Sequence, residues 1–239
     1  MPTPGLNLLA IAIFSITLVS LLGPLLHISP TVPALTTVGL LGLITVDSLT
    51  WSSQGTTLVV DWFAQRSAGY RDRIIHHEAG HFLVATLLGV PVTGYALSAW
   101  EALRQGQQAQ GGVRFEDGNL QAQLEEGYVT GATVDRYCQV WLAGGVAEQL
   151  VYGTVEGAGD DRQKVRRLLA YLPVSPQDRQ QKQRWATLQA KSMLQRHWDS
   201  YETLVQLLRD NALVEDCRQA VLGGTNETAL GERSSGMRG

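Results

Sequence analysis

The spacing of apolar positions changes abruptly along the chain. From Leu6 to Leu26 the residues are almost all apolar, with no polar stripe. About 21 such residues, at roughly 1.5 Å each, are enough to cross a hydrocarbon core. Pro24, Pro30 and Pro33 then mark a turn. A second apolar run, Val32 to Val46, stops at Asp47 and reaches span length only with its flanks from Ile28 to Leu49. Asn7 and the hydroxyl residues are tolerable there, because a hydroxyl can bond back to its own helix. The pattern predicts a two-span transmembrane hairpin over residues 1–50 and a juxtamembrane linker over 51–70. Trp51 and Trp62 stand where interfacial aromatics are expected.

A helical period takes over next. From about Arg71 to Leu88, Ile74, His77, His81, Val84 and Leu88 share one face, and Gly89 and Pro91 end the run. Val90 to Leu97 and Gly112 to Phe115 read as short strands, separated by a Gln/Gly-rich loop over 104–112. Helices are predicted over Ala132 to Tyr152, Asp161 to Leu172 and Tyr201 to Leu222. A longer one opens at Ser175-Pro176, an N-cap with proline at the first helical position, and runs to about Trp198. Residues 224–239 read as a disordered tail. The expected fold class is therefore mainly α: a helical domain with a short strand element over 71–223, attached to the N-terminal hairpin.

Charge sharpens the division. Charged residues are 17% of the chain, yet all 19 basic and 22 acidic side chains lie beyond residue 46. The first basic residue is Arg66, so the basic leader of a signal peptide is missing. Arg66, Arg71 and Arg73 follow the second run, which by the positive-inside rule puts the helical domain on the cytoplasmic or stromal side. A net charge of −3 argues against a nucleic-acid partner. Cys138 and Cys217 are too few for a disulfide framework or a cysteine zinc site; both read as core residues in a reducing compartment. Neither GxxxxGK[ST] nor GxGxxG occurs, so the chain carries no nucleotide site of those kinds.

The chemistry concentrates in His77-Glu78-Ala79-Gly80-His81. On a helix, positions i and i+4 share a face, so both imidazoles can meet one ion. Glu78 is then placed to serve as general base toward a water. Imidazole nitrogen suits zinc, and three protein ligands leave a fourth position open. His76 points about 100° away around a 3.6-residue helix and reads as structural or surface. His27 and His197 are poor third ligands. Glu148, Glu156, Asp160 and Asp161 are better, and the residues alone do not choose among them. Asp160 and Asp161 equally suit the first turn of a helix. Gly144 and Gly145 would let their helix come close to the histidines and bring Glu148 in behind one of them. The basic positions Arg179, Lys182, Arg184, Lys191 and Arg196 read as a solvated helix face, with anionic lipid or a partner as the weaker reading.

Three ordered blocks resemble one family. Ile74-Ile75-His76 followed by the HExxH, the small-residue segment Ala143 to Gly153, and Gly157-Ala158-Gly159-Asp160-Asp161 are similar to the peptidase domain of the FtsH-type membrane-bound AAA zinc proteases. The resemblance covers roughly residues 71–222. It implies a zinc metalloendopeptidase with His77, His81 and Asp161 as metal ligands and Glu78 as the catalytic residue. It also implies protein substrates and a membrane setting, with a homo-oligomer or an AAA protease as partner. Four departures stand out: Asp160 replaces a usual Asn, Gln149 replaces a common second acid, residues 98–112 form an insertion, and the ATPase module is missing. In that respect the chain resembles small FtsH-like proteins of oxygenic phototrophs, which implies a thylakoid or plasma membrane. The alternative expectation is a non-proteolytic zinc-binding assembly factor or chaperone that partners AAA proteases. An intramembrane site-2-type protease fits less well, because Arg71, Asp72 and Arg73 sit one turn ahead of the motif.

Overall fold

The computed structural model describes residues 4–50, 68–106 and 111–235. The chain is mainly helical, with one two-stranded sheet, and separates into two units. One comprises Met1–Arg71 and Ser98–Gly111; the other comprises Asp72–Leu97 and Gly112–Gly239.

In the first unit, α1 (Pro4–Leu22) and α2 (Thr31–Thr50) are joined through a 3-10 turn, Gly23–Leu26. His27 has φ 57°, and the Ile28 N–H closes the turn onto the Gly23 carbonyl at 2.8 Å. Ser29 opens α2: its carbonyl accepts the Val32 N–H at 3.0 Å. The hydroxyls of Thr17, Thr36, Thr37 and Thr45 each donate to the carbonyl four residues back, so α1 and α2 hold them without water. Ile11, Phe14, Leu21, Leu35, Val38 and Leu41 are exposed. Among the described residues, no helix is long and apolar enough to cross a membrane, so the structure does not support the two transmembrane spans expected over residues 1–50. Trp51, Trp62, Arg66 and most of the expected linker lie outside the described residues, as do residues 107–110 of the expected loop.

The second unit holds most of the helix that carries the HExxH, α3 (Ala68–Leu87), whose residues up to Arg71 fall in the first unit. It ends at Gly89, whose φ of 66° lets the Val90 N–H reach the Ala85 carbonyl at 2.9 Å. Strand β1 (Val92–Ala96) follows. It pairs antiparallel with β2 (Gly112–Phe115), with Ala96 opposite Gly112 and Tyr95 opposite Val113. Between them, in the first unit, lies the short α4 (Ala99–Arg104), capped by Ser98. A second short helix, α5 (Gly118–Glu125), follows β2. Neither short helix is predicted by periodicity, because six to eight residues carry too little of a helical repeat to read.

Helix α6 (Gly131–Tyr152) is the centre of this unit. From Thr133 to Glu148 only Asp135, Arg136 and Trp141 escape full burial. A helix apolar on every side must be surrounded, and α7 (Gly159–Ala170) and α8 (Pro176–Arg196) both pack on it. The Ser175 hydroxyl caps α8 by accepting the Asp178 N–H at 3.2 Å. The chain then breaks at His197, and α9 (Trp198–Arg209) and α10 (Val214–Ser235) pack together. The single helix expected over Tyr201 to Leu222 is thus two. Asn211 takes φ 55°, and the Ala212 N–H turns back to the Leu207 carbonyl at 2.9 Å. Asn tolerates this left-handed conformation better than most residues, and it ends the helix. The tail expected to be disordered from residue 224 instead continues α10 to Ser235. Its glycines weaken a helix, but the tail contains no proline to stop one.

Candidate metal centre

Two close contacts between α3 and α6 create the site. At Gly80, an added Cβ would lie 2.6 Å from the Ala143 carbonyl oxygen and 2.8 Å from the Ala147 Cβ. The two helices therefore approach with no room for a side chain. At Gly144, an added Cβ would lie 2.5 Å from Nε2 of both His77 and His81. Glycine at 144 keeps open the space into which both imidazoles point.

Those imidazoles are oriented from behind. His81 Nδ1 lies 2.7 Å from the Val140 carbonyl, and His77 Nδ1 lies 2.7 Å from Glu148 Oε1. A carbonyl and a carboxylate only accept, so in each ring Nδ1 carries a proton, and the ring, when neutral, presents its Nε2 lone pair forward. The two Nε2 atoms are 3.0 Å apart, and Asp161 Oδ2 lies 3.1 Å from each. All three residues are buried. Three lone-pair atoms thus converge on one point, an arrangement that a cation or a captured proton must satisfy. On a tetrahedral zinc with bonds of about 2.0–2.1 Å, ligand atoms sit about 3.3 Å apart. The donor set and its spacing fit such an ion, and His77, His81 and Asp161 can hold a metal.

Electrostatics describe the same centre without an ion. Burial pulls the His77 imidazole down, but its bonds to Asp161 and Glu148 outweigh burial and raise it to about 10. Burial likewise opposes ionisation of Asp161, yet the charge on His81 and the bonds to both rings hold its carboxyl well below the usual range.

Glu148 is the anchor behind His77. It is 0% exposed, and every lone-pair direction is used. Oε1 bonds His77 and accepts the Gly157 N–H at 3.0 Å; Oε2 accepts from Arg73 at 3.0 Å and the Glu156 N–H at 2.8 Å. Burial pushes the carboxyl up, and these donors more than reverse it, bringing it to about 2. Arg73 also bonds the Thr154 carbonyl and lies over the Tyr152 ring at 4.4 Å. Of the four candidate carboxylates, only Asp161 meets both Nε2 atoms. Glu148 stands one step back, while Glu156 and Asp160 are exposed.

Glu78 is half-buried, and its Oε2 accepts the Val113 N–H at 2.8 Å, which ties it to β2. His76 turns away from the cluster: its Nδ1 is 2.8 Å from the buried Tyr201 hydroxyl, beside an Asp72–Tyr152–Arg209 network. Gln149 is exposed and bonds the Gly153 carbonyl at the end of α6, away from the donors. His27 belongs to the other unit, and His197 lies between α8 and α9. Cys138 and Cys217 are buried free thiols, and burial pushes them up to about 12 and about 11. Sequence reasoning missed Arg73 as the partner of Glu148, Lys164 as the partner of Asp161, and the Val113 N–H. Arg73 and Lys164 each stand one helical turn from a metal-site residue, His77 and Asp161, and that spacing was the available signal.

No protein-family model matches this chain, and no curated protein matches it.

Proposed function

We propose that the chain is a membrane-anchored zinc metalloendopeptidase acting on unfolded or membrane-associated proteins. One observation carries the reading: two histidine nitrogens and one aspartate oxygen converge, with an acid one residue from the first histidine on the same helix. Three protein ligands of this kind leave an open position, as catalytic zinc sites do. The ordered resemblance to FtsH-type peptidase domains agrees with it. Bound zinc would polarise a carbonyl and make water a nucleophile near neutral pH. Glu78 would be the group that accepts the water's proton and returns it to the leaving amine. Glu148 and the Val140 carbonyl keep both imidazoles in the ligating tautomer.

Membrane attachment rests on α1 and α2. Helices apolar all round need an apolar surrounding, and their large side chains are exposed. No described helix meets the length and hydropathy of a membrane span, so the proposed lipid-anchoring hairpin rests on this apolar pattern alone, with the metal centre proposed on the cytoplasmic or stromal side of a plasma or thylakoid membrane.

The test is cleavage of an unfolded protein by the detergent-purified chain without ATP, beside Glu78→Gln. Wild type should cut, and the variant should retain zinc without cutting. Cleavage by rigorously purified Glu78→Gln would refute Glu78 as the base. Zinc binding without cleavage by either protein would favour the assembly-factor reading, with an AAA protease as partner.

A further inference from the structure

We infer that Lys164 is a positioning residue that holds Asp161 to one-oxygen ligation of the metal and so keeps the fourth position open. The inference rests on the metal-centre reading above. A carboxylate can give an ion one oxygen or two, and the choice decides how many positions remain. Here the two oxygens of Asp161 have different partners. Oδ2 lies 3.1 Å from both ligand nitrogens, and Oδ1 accepts from Lys164 Nζ at 3.1 Å.

Lys164 is one turn along α7 from Asp161 and approaches from the solvent side: its side chain is 52% exposed, against 10% for Asp161. An exposed ion pair at this spacing ordinarily does little for stability. This one differs in what its acid does with the other oxygen. Without the ammonium, Oδ1 has no other side-chain partner among the bonds described for it, and it can turn onto the ion as a second donor. That would fill the position catalysis requires to be free. The ammonium also offsets the carboxylate charge, so the ion loses less of its pull on a bound carbonyl.

Cobalt substitution tests this in the full-length, detergent-purified chain, because its visible band is intense when four-coordinate and weak when five-coordinate. The metal-free wild type, Lys164→Met and Lys164→Arg are titrated with Co2+. Wild type and Lys164→Arg should give the intense band, and Lys164→Met a severalfold weaker one. The unfolding midpoint of all three metal-free proteins should be the same. A merely structural surface pair would leave the band unchanged. Identical spectra for wild type and Lys164→Met overturn the inference while leaving the metal centre standing. A wild type that takes up no cobalt overturns both.

Discussion

The first unit exposes large apolar side chains on α1 and α2, and the second buries four side chains that can carry charge. Ile11, Phe14, Leu21, Leu35 and Val38 are exposed on α1 and α2, whereas His77, His81, Glu148 and Asp161 are buried among α3, α6 and α7. Either placement is unfavourable in isolation. Exposed apolar surface costs roughly 25 cal/mol per Å2 against water, and buried charge costs more unless it is paired. The second unit meets its cost locally: Glu148 has donors on every side and lies far below its usual range. In the first unit, large apolar side chains described on α1 and α2 stay exposed. One inversion fits a cation held within the fold; the other is the feature on which the proposed lipid anchor rests.

That contrast can be broken most forcefully at Glu148. Glu148→Ala strips His77, two backbone N–H groups and Arg73 of one fully buried partner. It should cost about 3–5 kcal/mol, as expected when one half of a buried ion pair is removed. Denaturant unfolding of the metal-free protein measures it, and a loss below about 1 kcal/mol would show that the network is incidental.

Gly144→Ala comes next. Alanine favours a helix by about 1 kcal/mol over glycine, but its Cβ would meet both Nε2 atoms. Metal affinity should fall by about 100-fold, at the upper end for disturbing what surrounds a metal site, while the helical circular-dichroism signal persists. Unchanged affinity would mean that the ion sits elsewhere.

A pH series sharpens the inward half. His77 is raised to about 10 from an ordinary 6.5, so its proton stabilises the metal-free fold fully below about 6.5. That contribution is lost as pH climbs toward about 10. The metal-free midpoint should therefore fall across this window, and zinc loading should flatten the fall, because the ion replaces the proton. A metal-free midpoint that rises over the same window would contradict the assignment.

The smallest effect belongs to the outward half. Leu35→Ser should change metal affinity not at all and unfolding by no more than about 0.5 kcal/mol. Combined with Phe14→Ser and Val38→Ser, it should reduce flotation with lipid vesicles. Undiminished flotation would count against lipid as the covering medium.

How much of this was legible beforehand differs by distance along the chain. The spacing of His77 and His81 fixes a shared helix face without any tertiary knowledge. Gly144 indicates the close helix approach, with Glu148 behind a histidine, because a small residue on a helix says where another element can come near; Gly145 instead makes room for Ala158 and Val155. The choice among Glu148, Glu156, Asp160 and Asp161 was not legible from residue chemistry. It depends on how α6 turns through Gly153 into α7, which no local pattern specifies. One-turn spacing marks Arg73 and Lys164 as neighbours of site residues, but a charged residue on an amphipathic helix usually faces solvent, and only the packed structure shows which acid each meets. The break at Asn211 went unread because the apolar period continues across it.

The most direct test of the central claim is the zinc content of the purified chain after dialysis against metal-free buffer, measured beside Glu78→Gln and Asp161→Ala. The convergence of three ligands predicts one zinc ion per chain in wild type and Glu78→Gln and none in Asp161→Ala. Zinc-free wild type, or an Asp161→Ala variant that keeps its zinc, would contradict it.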